Sequence, residues 1–197
     1  MNIIKHRVNS STELKNVPLE YGVEIDIRSN EKELYLHHDP FKNGEKLEDW
    51  LKNYRHKILV LNVKEEGLEK EVLKMLKNFD VTNFFFLDQS FPFLYKTSKV
   101  NNEKRCAVRF SDFESIDTVK NLSSFVNWLW VDMFENFPLN DKKINAYLFE
   151  TGLNLCFVSP ELHDANSRNL INSFRSKVEA MGFSDHYICT KYPELWI

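Results

Sequence analysis

Gly22-Val23-Glu24-Ile25-Asp26-Ile27 is an apolar strand pattern with a carboxylate at alternate positions. Side chains alternate across a strand, so Val23, Ile25 and Ile27 share one face while Glu24 and Asp26 share the other. Two carboxylates side by side on an otherwise apolar strand cost desolvation and mutual repulsion unless a cation neutralises them. Their hard oxygens suit Mg²⁺ or Ca²⁺, and ion pairs with Arg7 or Lys64 are the structural alternative.

Short apolar runs of the same kind recur outward from this strand: Ile3-Ile4, Ile58 to Val63, Phe84 to Leu87, Cys106 to Phe110, Trp128 to Met133, Leu153 to Val158 and Tyr187 to Cys189. The runs start about 26 residues apart on average, room for a strand, a helix and two short loops. Charged amphipathic stretches lie between them, at Leu68 to Phe79, Phe113 to Leu122, Lys142 to Glu150 and Ser167 to Met181, the last followed by Gly182 in a C-cap position. Strands alternating with helices imply parallel βαβ units. Eight such units close into a compact α/β (β/α)8 TIM barrel with short loops, close to the lower size limit of roughly 200 residues. An open doubly wound sheet is the alternative, but no Gly-rich phosphate loop follows the first strand. The longer gap after the second strand contains Glu33 to Pro40 and predicts a small hairpin. No linker-like tract interrupts the chain, which reads as a single domain over residues 1–197.

Composition narrows the function classes. The chain has 197 residues, 43% of them hydrophobic, with 26 Lys and Arg against 29 Asp and Glu for a net charge of −3. Such a balance provides no global field for nucleic acid or an anionic membrane. Cys106, Cys156 and Cys189 sit far apart in apolar runs, as buried reduced thiols do. No stretch approaches the ~20 apolar residues of a membrane span, and the first apolar run is too short for a signal-peptide core. A soluble cytoplasmic protein is the expectation.

In a barrel of this kind chemistry gathers at the C-terminal ends of the strands. Those ends carry His6 and Arg7; Glu24, Asp26 and Arg28; Asn62 and Lys64; Asp88; Arg109; Asp132; Ser159 and Glu161; and Lys191. His6 exchanges protons near neutral pH and the Arg7 fork recognises phosphate oxygens. A second imidazole, His37 or His38, ends the hairpin-like segment. Two imidazoles facing a phosphate are equipped as general base and general acid. Trp128, Trp130, Phe134 and Phe137 cluster around the sixth strand as packing or as a wall for a sugar or glycerol. His163-Asp164 follows the seventh strand. His56 and His186 precede strands, on the stability face, and Ser111 or Asp112 is placed to cap the helix after the fifth strand.

Together, His6-Arg7, Gly22 to Ile27 and Leu36-His37-His38-Asp39-Pro40 resemble the opening motifs of the glycerophosphodiester phosphodiesterases, a branch of the phospholipase-C-like phosphodiesterase barrels. The closing Ile188-Cys189-Thr190-Lys191-Tyr192-Pro193 resembles that family's last strand. The resemblance implies cleavage of a phosphodiester in a small polar substrate, a glycerophosphodiester or a phosphorylated glycan precursor, commonly through attack by a neighbouring hydroxyl. It implies His6 and His38 as the acid/base pair, the latter because it precedes Asp-Pro. Arg7 and Lys64 would bind phosphate, and Glu24 and Asp26 would bind Mg²⁺ or Ca²⁺. The chain departs from the pattern in four places. Val8 replaces the glycine after His-Arg, and the Glu-Asn-Thr-like stretch that normally follows is missing. Lys191 replaces an Asp. Asn62 stands where a third metal carboxylate is expected, and its amide oxygen ligates without adding charge. Metal binding should then weaken unless Asp88 or the substrate phosphate makes up the shell. A metal-independent site, with Arg7, Lys64 and Arg109 supplying positive charge, is the variant. A catalytically degenerate barrel that binds a phosphorylated ligand or a partner is the competing reading.

Overall fold

The computed structural model describes residues 1–30 and 33–197. Its strands are β1 (Asn2–Lys5), β2 (Gly22–Ser29), β3 (Leu34–Leu36), β4 (Glu45–Lys46), β5 (Leu59–Val63), β6 (Phe84–Leu87), β7 (Ala107–Phe110), β8 (Trp128–Val131), β9 (Asn154–Val158) and β10 (His186–Thr190). The α-helices are α1 (Ser11–Leu14), α2 (Leu47–Leu51), α3 (Glu69–Asn78), α4 (Phe91–Tyr95), α5 (Ile116–Leu122), α6 (Lys142–Thr151) and α7 (Ile171–Ala180). All eight apolar runs became strands where the pattern placed them. The chain divides into two compact units, Lys5–Asn102 and Met1–Ile4 with Glu103–Ile197.

In the Lys5–Asn102 unit the strand order is β4-β3-β2-β5-β6. β2, β5 and β6 run parallel, in a register that sets Asp26 opposite Asn62 and Asn62 opposite Leu87. β3 returns antiparallel to β2, and β4 antiparallel to β3, which is the expected hairpin. Parallel strands are covered on both faces and read as continuous apolar runs. Accordingly Leu59, Val60, Leu61, Phe85 and Phe86 have no exposed surface. On α3, Val72 and Leu76 at helical spacing turn inward, and Leu47, Trp50 and Leu51 do so on α2. The Trp50 indole N–H donates to the Val8 carbonyl at 3.1 Å.

The second unit orders its strands β1-β10-β9-β8-β7. The pairs β10/β9, β9/β8 and β8/β7 are parallel, with Tyr187 opposite Cys156 and Trp130 opposite both Cys156 and Arg109. Asp141 caps α6 by accepting the Lys143 N–H, and Gly152 ends that helix at φ +67°. All three cysteines are buried thiols. Among the described residues no helix is long and apolar enough to cross a membrane.

Two local expectations are corrected. Neither Ser111 nor Asp112 caps α5; Ser115 does, accepting the Asp117 N–H at 3.1 Å. Asp112 instead accepts the backbone N–H groups of Phe134, Glu135 and Asn136 at 3.0, 2.8 and 2.8 Å, a contact across sequence that no local pattern encodes. Between β6 and β7, α4 begins at Phe91-Pro92 and runs on as a π-helical turn over Lys96–Val100, where periodicity gave no helical reading.

Candidate active site

The Lys5–Asn102 unit brings together His6, Arg7, Glu24, Asp26, Asn62, Lys64 and Asp88. Strand β2 carries Glu24 and Asp26 on one face as its alternation required, both with no solvent exposure. Just after β1 the chain turns with Arg7 in the left-handed region at φ +53°. That conformation costs a non-glycine residue about 1 kcal/mol or more. It aims the Arg7 backbone N–H at Glu24 Oε2, 2.7 Å away, and the His6 Nε2 lies 3.7 Å from the same oxygen. Val8 is buried, and its N–H donates to the Glu24 carbonyl at 2.8 Å.

Charge balance at the carboxylates follows from burial. Removal from water, and then repulsion from Asp26, push the Glu24 carboxyl from 4.5 up to about 8, against the opposing pull of the Arg7 N–H, Lys64 and the Asn62 amide. Asp26 is neutralised differently. Lys64 Nζ lies 3.2 Å from its Oδ1 and Arg7 Nε 3.9 Å from its Oδ2. Asn9 completes the clasp, its amide donating to Asp26 Oδ2 at 2.7 Å while its carbonyl accepts the Asp26 N–H at 2.8 Å. Lys64 also faces Asp88 Oδ2 at 3.7 Å. Like Arg7, Asp88 has a left-handed backbone, φ +58°.

The hairpin histidines are told apart by their bonds. The His37 Nδ1 accepts the Asp39 N–H at 2.9 Å, and the His37 N–H donates to the Asp26 carbonyl at 3.1 Å, so this residue ties the turn to β2. The His38 Nδ1 is 2.8 Å from the Asp39 carboxylate, and this bond holds the Asp39 carboxyl below its ordinary value. With Nδ1–H donating to Asp39, the neutral ring keeps Nε2 as an acceptor, which is the form a general base needs. Arg28 fixes the His38 backbone, its Nε and Nη2 donating to the His38 carbonyl at 3.2 and 2.8 Å, and its Nη1 pairs with Glu65 at 3.3 Å.

Sequence reasoning missed the roles of Asn9 and Arg28. For Arg28 a signal existed, since positions 24, 26 and 28 share one strand face. For Asn9 there was none, because it lies in the loop after β1 and its partner stands on β2. Arg109 belongs to the second unit, where it is engaged by Glu114 at 3.0 Å and by Asp132. The other Asp132 oxygen meets His163 Nε2 at 2.7 Å. Glu161 there is a buried acceptor for Ser159, for the Thr190 hydroxyl at 2.6 Å and for the Lys191 N–H at 3.0 Å.

Whether the first group fits a divalent cation turns on its donors. Among the described residues, no three of His, Cys, Asp and Glu gather in a metal-holding group. Glu24 Oε1, Asp26 Oδ1 and Asn62 Oδ1 are nonetheless buried oxygens without a hydrogen bond, although Asp26 Oδ1 has its ion pair with Lys64. Three inward oxygens, two of them from carboxylates, fit a hard cation if Asn62 serves as the third donor.

No protein-family model and no curated protein matches this sequence. Solved structures do match. A glycerophosphodiester phosphodiesterase from Agrobacterium tumefaciens superposes with a TM-score of 0.72 at 13% identity, covering 100% of this chain and 98% of that one. A glycerophosphoryl diester phosphodiesterase from Parabacteroides distasonis gives 0.70 at 13% identity, covering 98% of this chain and 84% of its own. Over nearly its whole length, the chain therefore has the mixed α/β, mostly parallel fold of the glycerophosphodiester phosphodiesterases.

Proposed function

We propose that this protein is a phosphodiesterase for a small phosphodiester and that the Lys5–Asn102 unit carries its acid/base and phosphate-binding groups. The observation that supports this reading best is the convergence of His6, the Arg7 N–H and Lys64 on a fully buried Glu24–Asp26 pair, beside a hairpin whose His38 is oriented by Asp39. A core needs no such group of charges, and burying it costs stability, which is the pattern of groups kept for chemistry rather than for packing.

Arg7 and Lys64 hold the non-bridging phosphoryl oxygens. A substrate hydroxyl adjacent to the phosphodiester attacks phosphorus. One imidazole of the His6/His38 pair accepts its proton as the new O–P bond forms, and the other gives a proton to the departing alcohol oxygen as the old P–O bond breaks. Glu24, Asp26 and Asn62 would hold Mg²⁺ or Ca²⁺, which when bound supplies positive charge at the phosphoryl group. Asp88 restrains Lys64 in this scheme. The substrate class is a glycerophosphodiester or a phosphorylated glycan precursor.

The test is turnover of a panel of glycerophosphodiesters, with and without Mg²⁺ or Ca²⁺, by the parent, His6→Ala and His38→Ala. Loss of at least about 100-fold in each variant supports the pair. Parent-like turnover in both overturns it. Tight phosphodiester binding with no turnover under any condition favours the competing reading of a binding barrel, for which the uncharged Asn62 is the motivating observation.

A further inference from the structure

Of the two imidazoles in the Lys5–Asn102 unit, His38 stands on the weaker footing. β3 pairs with β2 only as far as Leu36, and the chain from Asp39 to Gly44 is exposed. The His38 carbonyl ties this segment back to β2 by accepting Arg28 Nε and Nη2 at 3.2 and 2.8 Å. Two donors of one planar fork on one oxygen set both the place and the direction of the peptide, which a single rotatable ammonium does not.

The fork is itself held. Arg28 Nη1 lies 3.3 Å from Glu65 Oε1, and the Arg28 side chain is 12% exposed. The other Glu65 oxygen accepts the Ser29 N–H at 2.9 Å and the Ser29 hydroxyl at 2.6 Å. Ser29 is the last residue of β2, so the carboxylate is pinned to that strand end with Oε1 turned to the guanidinium. Strand register brings it there. Ile27 stands opposite Val63, and the Lys64 N–H donates to the Ile27 carbonyl at 3.0 Å. Two consecutive residues after β5 then serve two needs of one site, Lys64 meeting Asp26 and Glu65 meeting Arg28. An ion pair with a partly exposed carboxylate adds little stability alone, but one that aims a fork at the His38 peptide sets the geometry of a reacting group.

We propose that Glu65 is a positioning residue for phosphodiester cleavage, acting through Arg28 to hold the His38 imidazole in its working place. The proposal rests on the phosphodiesterase reading of this unit, and neither Glu65 nor Arg28 touches substrate.

Glu65→Ala, Arg28→Lys and the double variant test it, read by turnover of a glycerophosphodiester and by amide nitrogen relaxation at His38 and Asp39. Arg28→Lys keeps the charge and loses the fork. kcat should fall about tenfold in Glu65→Ala and about 10–100-fold in Arg28→Lys. KM should stay within about twofold of the parent, because Arg7 and Lys64 are untouched. The double variant should be no slower than Arg28→Lys, since Glu65 acts only through that side chain. The two amides should lose order, from an order parameter of about 0.85 towards about 0.6. Parent-like kcat in Glu65→Ala, a rise in KM instead of a fall in kcat, or losses that multiply in the double variant each overturn the proposal. A lowered urea midpoint with kcat and amide order unchanged assigns the pair to stability alone and overturns it too. No turnover by the parent on any phosphodiester overturns the phosphodiesterase reading instead, and unchanged amide order in both single variants overturns the restraint on His38 whatever the turnover.

Discussion

Lys64→Met removes the one ammonium within 4 Å of Asp26 among the described contacts while keeping most of the side-chain volume. Asp26 is fully buried and Lys64 largely so, and they stand 3.2 Å apart. At an effective dielectric of about 20 the attraction is roughly 5 kcal/mol. Lys64 retains some contact with solvent, and the longer Arg7 approach and the Asn9 amide remain. The net cost of leaving Asp26 uncompensated should therefore be about 3 kcal/mol, at the lower edge of what breaking a buried pair costs. For a chain of this length that is about 6–12 °C in Tm. Urea unfolding at pH 7 without divalent cations measures it. Asp26→Asn in the Lys64→Met background should recover about half of the loss, since no buried charge is then stranded, and the double-mutant cycle should return a coupling of about 2 kcal/mol. A Lys64→Met variant within ~0.5 kcal/mol of the parent would refute the reasoning, because Asp26 would then have another source of neutralisation.

Three more predictions follow from single contacts. Arg7→Gly should leave stability unchanged or raise it by up to about 1 kcal/mol by relieving the left-handed backbone, yet lower kcat/KM on a responsive phosphodiester by about 100-fold through loss of the guanidinium; denaturant midpoints and turnover separate the two. Glu161→Ala strands the Thr190 hydroxyl and Lys191 N–H inside the second unit and should cost about 3 kcal/mol in urea, with Glu161→Gln costing less. Burial holds the pKa values of both His56 and His186 below the usual 6.5, and each has a buried ring nitrogen without a hydrogen-bond partner, where an added proton would find no acceptor. The unfolded chain then binds more protons than the folded one, so stability is intact above about pH 6.5 and falls as pH drops through and below it. His56→Gln and His186→Gln should each flatten the urea midpoint between pH 7.5 and pH 5; an unchanged slope would contradict the assignment.

The strands were legible because each buried parallel strand is a short apolar run, and β2 was legible in detail because a period of two fixes which residues share a face. Helices were read only where an amphipathic stripe was long enough. α3 carries its stripe over ten residues, whereas α1, α2 and α4 have five residues or fewer and take their helical form from tertiary packing. The α5 cap went wrong for a related reason. Ser111, Asp112 and Ser115 are all capping residue types, but Asp112 is taken by the N–H groups of residues 134–136 and the Ser111 hydroxyl by the Phe113 N–H, which leaves Ser115 to cap. The candidate site divides along the same line. His6, Arg7, Glu24, Asp26, Lys64 and the hairpin were visible as residue types at strand ends. The His38–Asp39 bond is the local pair that a His before an Asp in a turn makes, whereas Asn9, which clasps Asp26 from the loop after β1, depends on a backbone turn that propensity does not specify.

An amide rather than a carboxylate at position 62 is intelligible as charge arithmetic. A third acid beside Glu24 and Asp26 would put three negative charges on adjacent buried strand ends, since Asn62 stands in register with Asp26. Lys64 and Arg7 answer Asp26, while burial and repulsion keep a proton on Glu24. The group as folded is therefore close to neutral without help, and a third carboxylate would need a permanent cation to be tolerated. With an amide at position 62, the same oxygens would stay available to a divalent ion, while the group needs no cation for charge balance. On the proposed reading, a divalent cation held by Glu24, Asp26 and Asn62 would take the place of the Glu24 proton and supply local positive charge that a phosphodiester anion would offset. On the same reading, metal and substrate should accordingly each bind more tightly in the presence of the other than alone.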